Sequence, residues 1–290
     1  MDDLLARRFE AARGHLRAVA HQMLGSLAEA EDAVQEAWLR MSRADVSGVE
    51  NLTGWLTTVV GRICLDVLRA RRARREEPLE WHLPDPVIVA VDGTDPERET
   101  VLADSVGLAL LIVMDALAPA ERVAFVLHDL FGVPFAEIAT ILGRTPAATK
   151  MLASRARRRV HADAVLPDAD MARQREVVDA FLAASRAGDF DALVALLDPD
   201  VVLRADVGAG QMGISALVRG AATVAGRALL FARAASGLGY PVVVQGVAGV
   251  VSLQDGRPAV VLAYTVVGDR IAAIDVLADP QRLAALVPDR

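Results

Sequence analysis

Leu5, Phe9, Ala12, Leu16, Val19 and Met23 recur at helical spacing, which predicts an amphipathic helix over residues 3–24 closed by Gly25. Ser26 is placed to cap a second helix reaching Met41. Its apolar side is Ala33, Val34, Ala37, Trp38 and Met41; its outer side is Glu29, Glu31, Asp32, Gln35 and Glu36. The period breaks over 42–53, where Gly48 and polar residues predict a loop, and resumes from Gly54, with Val59, Val60, Ile63, Cys64, Val67 and Leu68 as the buried stripe. Pro78, Pro84, Pro86, Gly93 and Pro96 predict an extended connector over 77–103, although Trp81, Leu83, Val87, Ile88 and Val89 are too apolar for a free linker. Helical spacing returns after Asp104 in VGLALLIVMDAL and again in LAPAERVAFVLHDLFG.

Residues 134–161 read as a helix-turn-helix. Pro134 starts a helix carrying Ile138, Ala139 and Leu142 on one face, and Gly143 is suited to the left-handed turn that ends it. Thr145 is the next N-cap and Pro146 the first helical residue, with Ala148, Leu152 and Ala156 expected inward and Met151 beside them. From Arg144 to His161 there are six cations and no acid, in a chain whose net charge is −7. A recognition helix holds phosphates and presents polar groups to base edges. Thr145, Thr149, Lys150 and Ser154 are placed to read bases, and Arg155, Arg157 and Arg158 to hold the backbone. A second basic run, Arg69, Arg71, Arg72, Arg74 and Arg75, ends the third helix and is a further phosphate-binding candidate.

Beyond residue 170 the pattern changes. MARQREVVDAFLAASRAGDFDALVALL predicts a helix, a Gly188 turn and a short helix; DPDVVLRADVG predicts a strand and ISALVRGAATVAGRALLFARAA a helix. Strands follow, with turns at Asp255-Gly256 and Gly268-Asp269. The expected fold class is therefore multidomain: two all-α units at 1–76 and 104–165, a linker at 77–103, and an α+β cone at 170–290. No apolar run is long enough for a membrane span, the charged start is no signal peptide, and the single Cys64 excludes an intramolecular disulfide, so a cytoplasmic chain is expected. Cys64 and the lone His128 read as structural.

The helical two-thirds resembles an extracytoplasmic-function sigma factor of bacterial RNA polymerase. AEDAVQEAWLRM resembles the region-two helix that docks on the beta-prime clamp, which implies Asp32, Gln35, Glu36 and Leu39 as polymerase contacts. GWLTTVVGRICLDVLRARRARRE resembles the −10-binding helix, implying Trp55 and Arg62, with Arg69, Arg71 and Arg72 on phosphate. The stretch from LAPAER to RARRRV resembles region four, which reads the −35 element and meets the beta flap. Few aromatics lie in the −10 segment, mainly Trp38 and Trp55, which implies limited melting power.

The last third resembles a SnoaL-like domain, an extension that in some of these factors stands in place of a dedicated anti-sigma partner. Their motifs are matched by EWHLPDPV, RADVGAGQ and LADPQRL, with Val207 and Ala209 in place of two glycines and Gln211 in place of a lysine. The expected regulatory contact is Trp81, Leu83 and Pro84 against Asp206 to Gln211. The expected partners are core polymerase and promoter DNA, with no membrane, cofactor, metal or catalytic residue. An enzyme would have only Arg204, Asp206 and Asp275 as polar cavity candidates, with no histidine after Met171. The alternative reading is a polymerase-independent helix-turn-helix regulator with a ligand-sensing C-terminal domain.

Overall fold

The computed structural model describes residues 2–74, 83–91, 107–163, 165, 167–208, 216–234 and 239–287. Helix α1 (Asp2–Leu24) turns at Gly25, where φ is 71°, into α2 (Leu27–Arg43), whose first turn is capped by the Ser26 hydroxyl. Helix α3 (Leu52–Arg74) starts where Asn51 Oδ1 accepts the Gly54 N–H at 2.9 Å. Next come α4 (Leu108–Asp115) and α5 (Pro119–Phe125), which runs on into a π-helical turn at Val126–Leu130, then α6 (Phe135–Leu142) and α7 (Pro146–Asp163).

Both helical segments contribute to one hydrophobic core. Leu16, Leu56, Val60 and Cys64 belong to the same buried cluster as Leu111, Met114, Leu127 and Ile138. Contacts accordingly group 2–74 with 110–163 as one compact unit, and 83–91, 107–109 and 165–287 as a second. Gly61 marks the close approach of α3 to the later helices: a Cβ there would lie 3.2 Å from Ile141 Cδ1 and 3.3 Å from Leu127 Cδ1. Arg122 crosses the same region almost wholly buried. Its Nη1 lies 2.9 Å from Asp115 Oδ1, and its Nη2 donates to the Gln22 carbonyl of α1 at 3.4 Å.

The second unit is α+β. Helices α8 (Met171–Ala187) and α9 (Phe190–Leu196) are separated by Gly188 at φ 76°. The strands are β1 (Ile88–Ala90), β2 (Leu197–Asp206), β3 (Ala216–Arg219), β4 (Gly239–Val244), β5 (Val247–Gln254), β6 (Arg257–Val267) and β7 (Arg270–Leu277). They form one sheet in the order β1-β4-β5-β6-β7-β2-β3, antiparallel except for β2 beside β7. Helix α10 (Ala221–Ala234) joins α8 and α9 on one face, where Val177, Phe181 and Val224 meet Val250, Tyr264 and Ile274. Helix α11 (Pro280–Leu286) packs near β6, with Leu283 and Leu286 buried.

One expectation changes here and another gains detail. The segment 216–219 is a strand paired with β2, not the start of α10, because Gly220 at φ 89° breaks the chain between them. The connector contains β1, which pairs through Ile88, Val89 and Ala90 with Val244, Val243 and Val242. Its run of apolar residues is explained by that pairing: Ile88 and Val89 are buried.

Candidate polymerase and nucleic-acid interfaces

The helix-turn-helix forms as its caps dictate. Gly143 ends α6 at φ 64°, ψ 42°, and Thr145 Oγ1 accepts the Ala148 N–H at 3.2 Å to begin α7. The buried stripe of α7 is Thr149, Ala153, Ala156 and Val160: Ala156 is inward as expected, Leu152 is partly buried against the core, and Thr149 and Ala153 take the buried places expected of Ala148 and Leu152. Thr149, expected at a base-reading position, is therefore buried, and its hydroxyl donates to the Thr145 carbonyl at 3.0 Å. Met151, expected beside the inward residues, is 59% exposed.

Thr145, Lys150, Ser154, Arg155 and Arg158 lie exposed on the outer surface of the motif. Arg157 is otherwise engaged: its Nε and Nη2 donate to Asp129 Oδ1 at 2.9 and 2.6 Å. Arg159 reaches Glu121 at 3.7 Å. The basic run thus meets acids from α5 and its π-helical turn, which a count restricted to residues 144–161 cannot reveal. Lys150, Arg155 and Arg158 have no acidic partner among the described residues.

Asp32, Gln35, Glu36 and Leu39 share the outer face of α2, with Leu39 40% exposed. The face combines carboxylates with an exposed leucine, and Arg40 ties back to Glu36 at 2.9 Å. A groove of about 440 Å³ beside it is lined by Phe9, Val34, Gln35 and Trp38. Phe9 and Trp38 meet edge to face at 5.0 Å.

On α3, Arg62, Arg69 and Arg72 are exposed and Trp55 is half-buried. Arg71 is not free for phosphate: it donates to the Leu24 carbonyl at 2.7 Å and is ion-paired with Glu29. It joins the ends of α1 and α2 to α3. A partner 42 positions away in the sequence, Glu29, leaves no local signal.

In the second unit the connector is held by a charged cluster. Asp206 is fully buried. Its Oδ2 accepts the Leu83 N–H at 2.8 Å and pairs with Arg282 Nη1 at 2.7 Å. Arg282 also donates from Nη2 to the Leu83 carbonyl at 2.6 Å and from Nε to Asp85 Oδ1 at 2.8 Å. Val87 N–H donates to the buried Gln245 Oε1 at 2.8 Å. Leu83 and Pro84 are buried, whereas Trp81 and Gln211 lie outside the described residues. Asp85 and Arg282 were not singled out from sequence, although both fall inside the short motifs that the resemblance brought forward.

The remaining polar candidates are structural. Cys64 is buried, and burial pushes its thiol up to about 12. His128 Nδ1 lies 3.0 Å from the Val133 carbonyl and its ring stacks on Phe135 at 3.7 Å. Arg204 and Asp275 pair at 2.5 Å. Burial raises the Asp275 carboxyl, against the pull of Arg204. Ile274 faces the helices, so Asp275 next to it faces the other side of the sheet; Arg204 and Asp206, out of step with Leu203, do the same. None of the three lines a cavity under α8 and α10. No group of three or more metal-ligating side chains occurs among the described residues, and no helix there is long and apolar enough to cross a membrane.

Comparison with known proteins supplies the frame for these surfaces. Residues 8–74 match the model of Sigma-70 region 2, and residues 108–160 match that of Sigma-70, region 4. The chain is 47% identical over 199 residues to the ECF RNA polymerase sigma factor SigJ of Mycobacterium tuberculosis, an alignment spanning 68% of this chain and 64% of that relative. It is 39% identical over 217 residues to the probable ECF RNA polymerase sigma factor SigI of the same organism, covering 74% of each. The crystal structure of M. tuberculosis extracytoplasmic function sigma factor SigJ superposes with a TM-score of 0.77 at 35% identity, over 98% of this chain and all of that one.

Proposed function

Because the chain belongs to the extracytoplasmic-function sigma factors of RNA polymerase, which are non-catalytic, we propose that it docks on core polymerase and directs promoter-specific initiation through two DNA-facing helices. In this reading Asp32, Gln35, Glu36 and Leu39 meet the beta-prime clamp. Trp55, Arg62, Arg69 and Arg72 on α3 meet the −10 element. Thr145, Lys150, Ser154, Arg155 and Arg158 on the helix-turn-helix meet the −35 element, and region four also meets the beta flap. The α+β unit, read as a SnoaL-like extension, regulates these events in cis through the docked connector, so that no dedicated anti-sigma factor is needed. The chain works in the cytoplasm.

One observation carries this reading. The same helical unit turns an acidic, partly apolar face outward on α2 and a row of cations outward on α7. A regulator that binds DNA alone has use for the second face only. The shared core adds a condition. Elements at −10 and −35 lie ~25 base pairs apart, roughly 85 Å along B-DNA at the usual rise per step. Helices in van der Waals contact at Gly61 do not reach that far, so promoter engagement requires this core to open.

The test is run-off transcription by core polymerase and the full chain on the promoter upstream of its own gene. Lys150→Ala is expected to lower transcription about tenfold and to flatten the salt dependence of promoter binding by about one counterion. Glu36→Lys is expected to abolish polymerase binding. Tight, specific promoter binding without polymerase, unchanged by Glu36→Lys, would favour the polymerase-independent regulator instead.

A further inference from the structure

The α+β unit contains a cleft of about 460 Å³ that none of these roles uses. One wall is a stripe of α8, the floor is sheet, and the far side is α10. Leu182, Phe231, Tyr240, Val250 and Leu262 make it largely apolar. A volume of this size suits a small ligand. Phe231 is 38% exposed and Val91, at the rim, 60%, so apolar surface stands uncovered at the opening.

Arg175 is the one half-buried cation in this wall. Its Nη1 donates to the Gly249 carbonyl at 2.9 Å and its Nη2 to the Val242 carbonyl at 2.7 Å. No carboxylate hydrogen-bonds it among the described residues; Asp179, one turn away, acts on it only through space and is itself exposed. Arg186 lines the same cleft, so its charge is net positive. A guanidinium stays charged, has donors beyond the two in use, and matches a carboxylate in shape.

The cleft is also built partly from the connector. Val91 follows directly on β1, and Gly239, Tyr240 and Pro241 belong to β4, the strand on which β1 pairs. Val242, whose carbonyl holds Arg175, is the pairing partner of Ala90.

We propose that this cleft binds a small amphipathic carboxylate, its head on Arg175 and its hydrocarbon body over Leu182, Phe231 and Val250, and that occupancy tightens the pairing of β1 on β4. Binding and pairing do not depend on the sigma-factor reading; only their consequence for transcription does.

The probe is decanoate, titrated calorimetrically into the full chain below its micellar concentration, with decanol as the uncharged control. One-to-one saturable binding is expected, at least tenfold weaker for decanol and for Arg175→Met, and lost in Leu182→Trp, which fills the cleft while keeping the cation. Arg175→Lys, which keeps the charge, is expected to restore part of the affinity, and circular dichroism establishes that each variant is folded. Amide exchange over residues 83–91 is expected to slow several-fold on binding. No binding, equal binding of decanol, or undiminished binding by folded Leu182→Trp overturns the site. Unchanged exchange in the connector overturns the coupling.

Discussion

Arg122 shows how much a single side chain can be asked to do. It is among the largest fully buried side chains of the described residues, and burial pushes its guanidinium below the usual arginine range while Asp115 pulls it back. Its Nε, and both polar atoms of the buried Gln22 side chain, have no hydrogen-bond partner among the described residues. The two ends of the ion pair differ in exposure, 2% for Arg122 and 34% for Asp115. Water can therefore take over from the arginine but not from the aspartate. Arg122→Met, which keeps the volume, is expected to be neutral or to stabilise the helical unit by about 1 kcal/mol. Asp115→Ala strands a buried charge and is expected to cost about 3–5 kcal/mol. Urea unfolding followed by tryptophan fluorescence measures both, since Trp38 and Trp55 lie in that unit. Equal losses in the two variants would contradict this account. At the same scale, what stays illegible in the sequence is long-range charge pairing. Arg71 and Arg157 belong to basic runs, yet each is engaged by an acid on another helix, Glu29 and Asp129.

Among elements, the helices were legible because their apolar positions follow a 3.6-residue period and their caps are explicit, as with Gly143 and Thr145. The hairpin turn at Asp255-Gly256 was equally plain, and both residues take positive φ. The short strands were not. Three residues of β1 and four of β3 are too few to display alternation, and the partners of β1, Val242–Val244, lie far along the chain. In α7 Ala156 was placed correctly, but Thr149 was not recognised as buried because Ala148 and Thr149 are both small enough to face inward. Beside the pairing of β1 on β4, the Asp206 cluster holds the connector at Leu83 and Asp85. Asp206→Asn keeps the shape but removes the charge that faces Arg282, and it is expected to raise amide exchange over 83–91 at least tenfold. The same variant is expected to change the run-off transcript yield of the full chain with promoter and polymerase unaltered. Unchanged exchange would mean that strand pairing alone holds the connector.

For the whole molecule, the proposed opening of the shared core on promoter engagement has a chemical reporter. Cys64 sits inside that core. Its thiol is pushed up to about 12 by burial, with Arg122 acting in the opposite sense. A folded-state value above the ordinary one favours the neutral thiol in the native chain. That contribution to stability is intact below the ordinary thiol pKa and is lost as pH rises through about 12. At pH 8 the free chain is therefore expected to react with iodoacetamide at least a hundredfold more slowly than the denatured chain. Adding core polymerase and promoter should accelerate the reaction if engagement opens the core; an unchanged rate would mean that α3 and α6 stay together. The docked connector carries a different liability. With β1 in place, Val242 and Val244 are buried and the β4 edge is covered. Lifting the connector uncovers a row of valines and unpaired backbone groups, the surface on which a second copy adds as a strand. A released connector thus has to be sequestered by another surface or redocked quickly, and the solubility of the chain becomes tied to how seldom it is undocked.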